Sequence, residues 1–194
     1  ALPILRERLL GEAAEVGGAP PDGLKVGVAV IDHAFSVKGV GTVALGTIAR
    51  GAVRRHDVLR VLPGDKVAEV RSIQKHDDDF DWSVDGDRVG LALKGVEVED
   101  LDRGTVLAND TAVKTAKQLE GAGKLLRYWP APLKPGMAIH VGHWMQFVPA
   151  RVESISDGGD WREPKLTLAL EKEMAYVAGD DAVLMYLSGQ KLRV

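Results

Sequence analysis

The chain has 194 residues, of which 45% are hydrophobic and 27% charged, and its formal net charge is −3. Such a length and composition are typical of one large or two small globular domains. The slightly acidic balance argues against a protein that coats nucleic acid, and we expect no DNA partner. The lack of cysteine excludes disulfides and thiolate metal sites and fits a reducing cytoplasm. Because no apolar run reaches the ~18 residues of a membrane span, we also expect no membrane partner.

The first predicted element is a helix over residues 2–16. Pro3 suits the first turn of a helix, and apolar residues recur after it at spacings of four. The glycines and prolines of residues 17–21 break this pattern and predict a linker. We therefore assign residues 1–23 to a short helix and linker.

Residues 24–110 carry many short apolar segments separated by polar, glycine-containing turns, which is typical of a small β-barrel. The predicted strands are 25–32, 42–49, 57–61, 66–75, 88–93 and 105–108.

Residues 111–194 are also mostly strand by the same criteria, and they predict a second small β-barrel. Its predicted strands are 112–120, 125–129, 137–142, 145–155, 165–171 and 181–188. The GAGK stretch at 121–124 predicts a hairpin turn. The expected fold is therefore all-β, with two consecutive small barrels after a short N-terminal helix.

Three ordered motifs occupy the first predicted barrel: IDHAFSVKGVGTVALGT from Ile31, VRSIQKH from Val70, and GDRVGLALKGVEVEDLDRGTVLA from Gly86. They resemble the second domain of the translational GTPases, the family of elongation factor Tu, and most closely its SelB-like branch. In the first stretch the matching residues are Asp32, His33, Phe35, Val37, Lys38, Gly39, Gly41, Thr42, Val43, Gly46, Thr47, Gly51, Asp57 and Leu59. The stretch that starts with LKPG at Leu133 resembles the third domain of the same family more loosely.

This resemblance implies that the first barrel holds the aminoacylated 3′ end of a transfer RNA and that the chain works at the ribosome. The residues that it assigns to the RNA end are Gln74, His76, Gly86, Asp87, Val89, Gly90 and Ala92. It also implies a GTP-binding domain of the same protein as a partner. We expect the face toward that domain to contain Phe35, Val37, Lys38 and Val40. The helix over residues 2–16 would then be the end of that domain, or alternatively an arm packed on the barrel.

One segment departs from the family pattern. Residues 75–79, Lys-His-Asp-Asp-Asp, stand where the family usually has apolar and then basic or amide residues. Three adjacent aspartates would repel an RNA terminus. A second hypothesis is therefore a protein-interaction barrel that has lost tRNA binding and acts in a ribosome-associated or other complex. A third, a barrel domain of a metabolic enzyme built on the same scaffold, has less support.

The sequence offers no catalytic constellation. A phosphate-binding loop needs Gly-x-x-x-x-Gly-Lys-Ser/Thr, and GAGK at 121–124 lacks the first glycine and continues into Leu125. We therefore predict that this chain is not an enzyme by itself and holds no cofactor, with GTP and Mg²⁺ implied only for a separate domain. The full-length protein can still be a GTPase.

Two stretches imitate metal sites. The run from Asp81 to Asp87 has oxygen ligands at alternate positions, but Ala92 stands where a calcium loop needs glutamate. His140 and His143 are three apart, which on a strand places them on opposite faces. We predict no metal site.

Overall fold

The computed structural model describes residues 26–156 and 158–187, which are built almost wholly of β-strands. Within those residues the only helical element is a single 3-10 turn at Val98–Asp100. The all-β fold with two sheets is confirmed. The predicted helix over residues 2–16 lies outside the described residues, so the structure lends it no support.

The first sheet contains eight strands. They are β1 (Gly27–Val37), β2 (Gly41–Arg54), β3 (Val58–Leu62), β4 (Val67–Lys75), β5 (Asp78–Phe80), β6 (Trp82–Val84), β7 (Arg88–Lys94) and β8 (Val106–Ala108). The order β1-β8-β3-β4-β7-β2 returns to β1, because β1 also pairs with β2. Six strands thus close into a barrel, and closure removes the unpaired edges that an open sheet exposes. The short strands β5 and β6 add to β4 and β2 from outside the ring.

The barrel core follows from alternation along each strand. Ile31, Ile48, Leu59 and Leu91 are fully buried and belong to one cluster inside the ring. Their immediate neighbours in sequence point outward, since successive strand residues face opposite sides. At roughly 1.5–3 kcal/mol for each large side chain removed from water, this cluster supplies most of the driving force for the first domain.

Two glycines let the long strands β1 and β2 cross closely. A Cβ on Gly46 would collide with the Val30 carbonyl oxygen, and one on Gly51 would collide with that of Val26. Gly51 also has φ of 68°, a conformation that residues with a Cβ rarely adopt. The close approach of the two backbones therefore requires glycine at both positions of β2.

The second sheet contains five described strands. They are β9 (Val113–Ala122), β10 (Ala138–His143), β11 (Gln146–Ser156), β12 (Lys165–Val177) and β13 (Val183–Met185). Their order is β13-β10-β11-β12-β9. The core beneath this sheet includes Ile139, Val148, Leu168 and Met174.

Several strand predictions in this region need correction. Residues 125–129 form no strand but an irregular segment, in which Leu125 donates its N–H to the carbonyl of Arg162 in the loop before β12. The predicted turn at 121–124 is wrong as well. Gly121 and Ala122 still belong to β9, whose ladder partner is the distant β12. β12 runs six residues past the predicted end at 171, and β13 is a short, half-exposed strand.

The two sheets pack on each other through an apolar cluster. Val28 and Val30 on the outer face of β1 meet Ala175 and Val177 of β12, and Trp144 packs at the margin. Beside this contact, within the second sheet, the Gln146 side chain on β11 donates to the Ala175 carbonyl of β12 (2.7 Å) and accepts from the Ala175 N–H (2.8 Å). The Arg50 guanidinium of β2 binds Asp180, which follows β12, at 2.8 Å. The apolar cluster and this ion pair hold the two sheets together.

Candidate functional site

Four neighbouring strands, β1, β2, β7 and β4, present outward side chains in two aligned rows. The first row consists of Phe35, Val43, Ala92 and Ser72, and the second of His33, Leu45, Gly90 and Gln74. Members of a row are direct ladder partners, so their side chains lie side by side. We call these eight residues the outer platform.

The orientation of the platform is set by the core beneath it. Ala34, Ala44, Ile73 and Leu91 are sequence neighbours of platform residues and belong to or pack on the barrel core, which directs the platform side chains outward. The centre of the platform is apolar and half-buried, with Ala92 only 6% exposed. Its two ends carry the polar residues His33 and Gln74, both exposed.

Gly90 makes a shallow depression in the second row. It has no side chain, and its nearest outward neighbours are the Leu45 side chain and the Cβ of Gln74. A flat apolar surface with a depression and an amide at its rim can hold a planar ring and hydrogen-bond one of its edges.

The β4 end of the platform is acidic. The Gln74 Nε2 donates to Asp79 Oδ1 at 3.0 Å, and the chain turns between these residues through His76 and Asp77, both with positive φ. Asp78 and Asp79 lie on β5 and are exposed.

The β1 end has a different charge pattern. Asp32, next to His33, accepts a 2.7 Å hydrogen bond from Arg88 and lies 3.5 Å from Arg103. The hydrogen bond from Arg88 holds the pKa of the Asp32 carboxyl below its usual range. Two arginines on one carboxylate leave a net positive charge beside the platform.

Asp87 has a structural role. Its Oδ2 accepts hydrogen bonds from the Ser83 hydroxyl (2.7 Å), the Val84 N–H (3.0 Å) and Lys75 (3.0 Å). Burial raises the pKa of Asp87, but these hydrogen bonds and the Lys75 charge outweigh it, so the net pKa is lowered. Lys75 also lies 4.2 Å from the Phe80 ring centroid. This cluster ties the β5–β6 segment to the barrel.

The structure brings together only part of the site that the family resemblance assigned. Gln74, Gly90 and Ala92 share the platform. Val89 points into the barrel core, His76 lies in the exposed turn, and Gly86 and Asp87 belong to the turn before β7. His33, Leu45, Val43 and Ser72 were not predicted for the RNA end. The pairing register reveals them, although alternation along β2 already placed Val43 and Leu45 on one face.

The four residues predicted to face a GTP-binding domain extend from the outer platform to the β1–β2 turn. Phe35 is in the first platform row, and Val37 pairs with Gly41 at the end of the β1–β2 hairpin. Lys38 and Val40 are exposed in its turn, where Val40 is 45% exposed. Their role toward such a domain stays a prediction.

The two histidines with metal-like spacing lie apart. His140 stacks on Phe147 with ring centroids 4.6 Å apart, whereas His143 stacks on Trp144 near the contact between the sheets. Among residues 26–156 and 158–187 there is no group of three or more histidine, aspartate or glutamate side chains placed to hold a metal ion.

His143 is the most buried of the titratable groups near the sheet contact. Its side chain is 7% exposed, its Nδ1 lies 3.0 Å from the Asp181 carbonyl, and its Nε2 lies 3.7 Å from Asp180. Burial lowers the pKa of His143, which favours the neutral ring.

Comparison with known proteins agrees with this architecture. The sequence model of elongation factor Tu domain 2 matches residues 41–108. The selenocysteine-specific elongation factor of Methanocaldococcus jannaschii is 37% identical over an alignment of 174 positions, and the match covers 81% of this chain and 37% of that protein. An uncharacterized protein of the same organism is 43% identical over 155 residues, 80% of this chain and 48% of the relative.

A solved structure shows the same fold. The apo form of translation elongation factor SelB from Methanococcus maripaludis superposes with a TM-score of 0.75 at 28% identity, covering 93% of this chain and 43% of that one. The chain thus spans less than half the length of each of these three proteins. No helix among the described residues has the length and apolarity to cross a membrane. Residues 41–108 thus match the elongation factor Tu domain 2 family, and most of the chain is similar in sequence and fold to the SelB-type elongation factors.

Proposed function

We propose that this chain is the part of a translation elongation factor that holds the aminoacyl end of a transfer RNA on the outer platform. A GTP-binding domain of the same protein would switch its position at the ribosome. The observation that carries the proposal is the in-register alignment of the two platform rows around Gly90. Such a surface offers an apolar wall and a hydrogen-bonding rim, which is what recognition of an unpaired RNA terminus requires.

The charges around the platform fit recognition of a terminus better than that of a duplex. The eight platform residues include no lysine or arginine, and at the β1 end Arg88 and Arg103 share the carboxylate of Asp32. Each phosphate that a protein neutralises adds to the salt dependence of binding. We therefore expect this part of the molecule to bind charged tRNA with a shallow salt dependence.

The same surface offers a route for coupling to the GTP-binding domain. Phe35 is a platform residue, and Val37, Lys38 and Val40 continue from it around the exposed β1–β2 turn. A domain that covers this turn would reach the platform through Phe35. In this proposal GTP and Mg²⁺ are held by that domain and not by the residues described above.

The test is a gel-shift titration of charged and uncharged tRNA over a salt series. We expect charged tRNA to bind more tightly than uncharged tRNA, and Gln74→Ala to weaken binding of the charged form about tenfold, because it removes a rim hydrogen bond. Gln118→Ala is the matched control, since Gln118 is an exposed glutamine on β9 whose Nε2 donates to Glu153 in the second sheet. Equal binding of both tRNA forms, or an equal effect of both substitutions, would contradict the proposal.

A protein-interaction barrel is the second candidate. The specific observation in its favour is the exposed acidic edge formed by Asp77, Asp78 and Asp79, which suits a basic protein surface better than RNA. If neither tRNA form binds at low salt, this candidate replaces the first. Pull-down of ribosomal proteins that is lost on changing the three aspartates to asparagine would then support it.

A further inference from the structure

A cavity of about 150 Å³ opens at the β4 end of the outer platform. Its lining residues are Arg55, Ser72, Asp79, Phe80 and Asp81. Ser72 is the last member of the first platform row, and Asp79 is the hydrogen-bond partner of Gln74 in the second row. The cavity is therefore continuous with the platform, although its chemistry is different.

The apolar wall of the cavity is an exposed aromatic ring. Phe80 lies on β5 and is 39% exposed, while Lys75 approaches its ring to 4.2 Å. The ladder between β5 and β4 holds Phe80 opposite Ile73, so its backbone position is defined. Exposed aromatic rings in a groove are platforms on which nucleobases stack.

The cavity lining also includes the guanidinium of Arg55, which has N–H groups not used in the two contacts below. Arg55 uses its Nε to bond the Arg71 carbonyl at 3.0 Å, and its Nη1 lies 3.8 Å from Asp81. About half of its side chain remains exposed, and its other N–H groups are available to a phosphate oxygen.

The two carboxylates complete the cavity. Asp79 and Asp81 are hydrogen-bond acceptors, and a carboxylate beside a nucleobase accepts from an exocyclic amino group, as it does from cytosine N4. Uracil has no amino group and can offer these oxygens only its N3–H. The cavity thus favours a base that carries an exocyclic amine.

We propose that this cavity is a second nucleotide subsite, which takes the nucleotide preceding the one on the outer platform. Its base stacks on Phe80 and donates its amino group to Asp79 or Asp81, and its phosphate contacts Arg55. This inference rests on the proposed function, because it needs a single-stranded RNA end on the platform. It also gives the acidic segment after β4 a role in reading a base.

The test compares three small probes binding to the full chain by calorimetry. They are adenosine, CpA and UpA, each carrying an amino acid joined to the 3′ position through a non-hydrolysable amide. Because base–aromatic stacking strengthens binding by roughly five- to a hundredfold, we expect the CpA probe to bind more tightly than the adenosine probe by that factor. The UpA probe should exceed the adenosine probe in affinity by a smaller factor, because uracil lacks the exocyclic amine.

Variants then assign the gain to the cavity. Phe80→Ala should abolish the CpA advantage and leave adenosine binding unchanged, while Phe80→Tyr should retain the advantage. Phe147→Ala removes another exposed phenylalanine, on β11, and should change neither probe. Equal binding of the CpA and adenosine probes to the unaltered chain would overturn the second subsite and leave the proposed function intact. Failure of all three probes to bind would overturn both.

Discussion

Gly90 on β7 lies directly opposite Gln74 on β4, and a Cβ built on Gly90 would lie 4.0 Å from the Gln74 Cβ and 3.5 Å from Leu45 Cδ2. Both distances are ordinary van der Waals contacts, so the space above Gly90 accepts a methyl group. The backbone does not require glycine there, unlike at Gly51, where φ is positive. The missing side chain at Gly90 therefore matters for the shape of the platform more than for the strand.

This relationship predicts that stability and binding respond differently to substitution at Gly90. Gly90→Ala should leave the free energy of unfolding within about 1 kcal/mol of the unaltered value, because the methyl group fits and the unfolded chain loses entropy. Gly90→Val should fill the depression and weaken binding of charged tRNA more than Gly90→Ala does. Urea unfolding and the gel-shift titration measure the two effects.

Gly121→Ala is a suitable control for that experiment, because a Cβ there has no neighbour within 4 Å and Gly121 is on β9, in the other sheet. It should leave tRNA binding unchanged. If Gly90→Val binds charged tRNA as tightly as the unaltered chain does, no part of the tRNA enters the depression.

Gln146 is predicted to be important for the stability of the second sheet, where it joins β11 to β12. Its side chain is buried and satisfies both the N–H and the carbonyl of Ala175. Gln146→Leu should lower the free energy of unfolding by about 2–4 kcal/mol, because two buried backbone groups lose their partner. Gln118→Leu, at an exposed position, should change it by less than about 0.5 kcal/mol. Similar urea midpoints for the two variants would contradict this assignment.

Asp87 should make the protein sensitive to acid. Its folded pKa lies below its unfolded value, so its stabilising effect is present above the ordinary carboxyl pKa and is lost as pH falls through the lowered folded value. Asp87→Asn should therefore flatten the fall in unfolding free energy below about pH 4. Asp85→Asn changes an exposed neighbour and is the control. Urea titrations between pH 3 and 6 compare the slopes, and parallel curves for Asp87→Asn and the unaltered chain would refute the prediction.

His143 should give a separate dependence on pH. Because burial lowers its folded pKa, the neutral ring is stabilising above the ordinary histidine pKa of about 6.5, and stability decreases as pH falls below it. His143→Asn should reduce this slope between pH 7 and 5. His56→Asn is the control, since the His56 side chain is 70% exposed. A slope unchanged in His143→Asn would show that another group is responsible.

The sequence alone determined which segments form most strands of the first barrel. Short apolar segments between glycine-containing turns, together with the three ordered motifs, were enough to predict an all-β chain with most of those strands placed correctly. These are local signals, because a half-buried strand must alternate and a close crossing must lack a Cβ. The acidic strand β5 was missed, since its Asp-Asp-Phe sequence has low strand propensity and pairs only because β4 supplies a partner.

The tertiary structure alone decided which residues form the platform. Val89 and Gly90 are neighbours in sequence, yet one faces the core and the other the platform, and motif matching assigned both to the same site. Which of them faces outward depends on which alternate residues of each strand face the core. Register shifts between Ile31 and His33 and between Val70 and Ser72 change that alternation. A one-residue shift reverses the face of every later side chain. Only pairing across β1, β2, β7 and β4 fixes which residues face outward, because each row joins residues as far as 57 positions apart, such as His33 and Gly90.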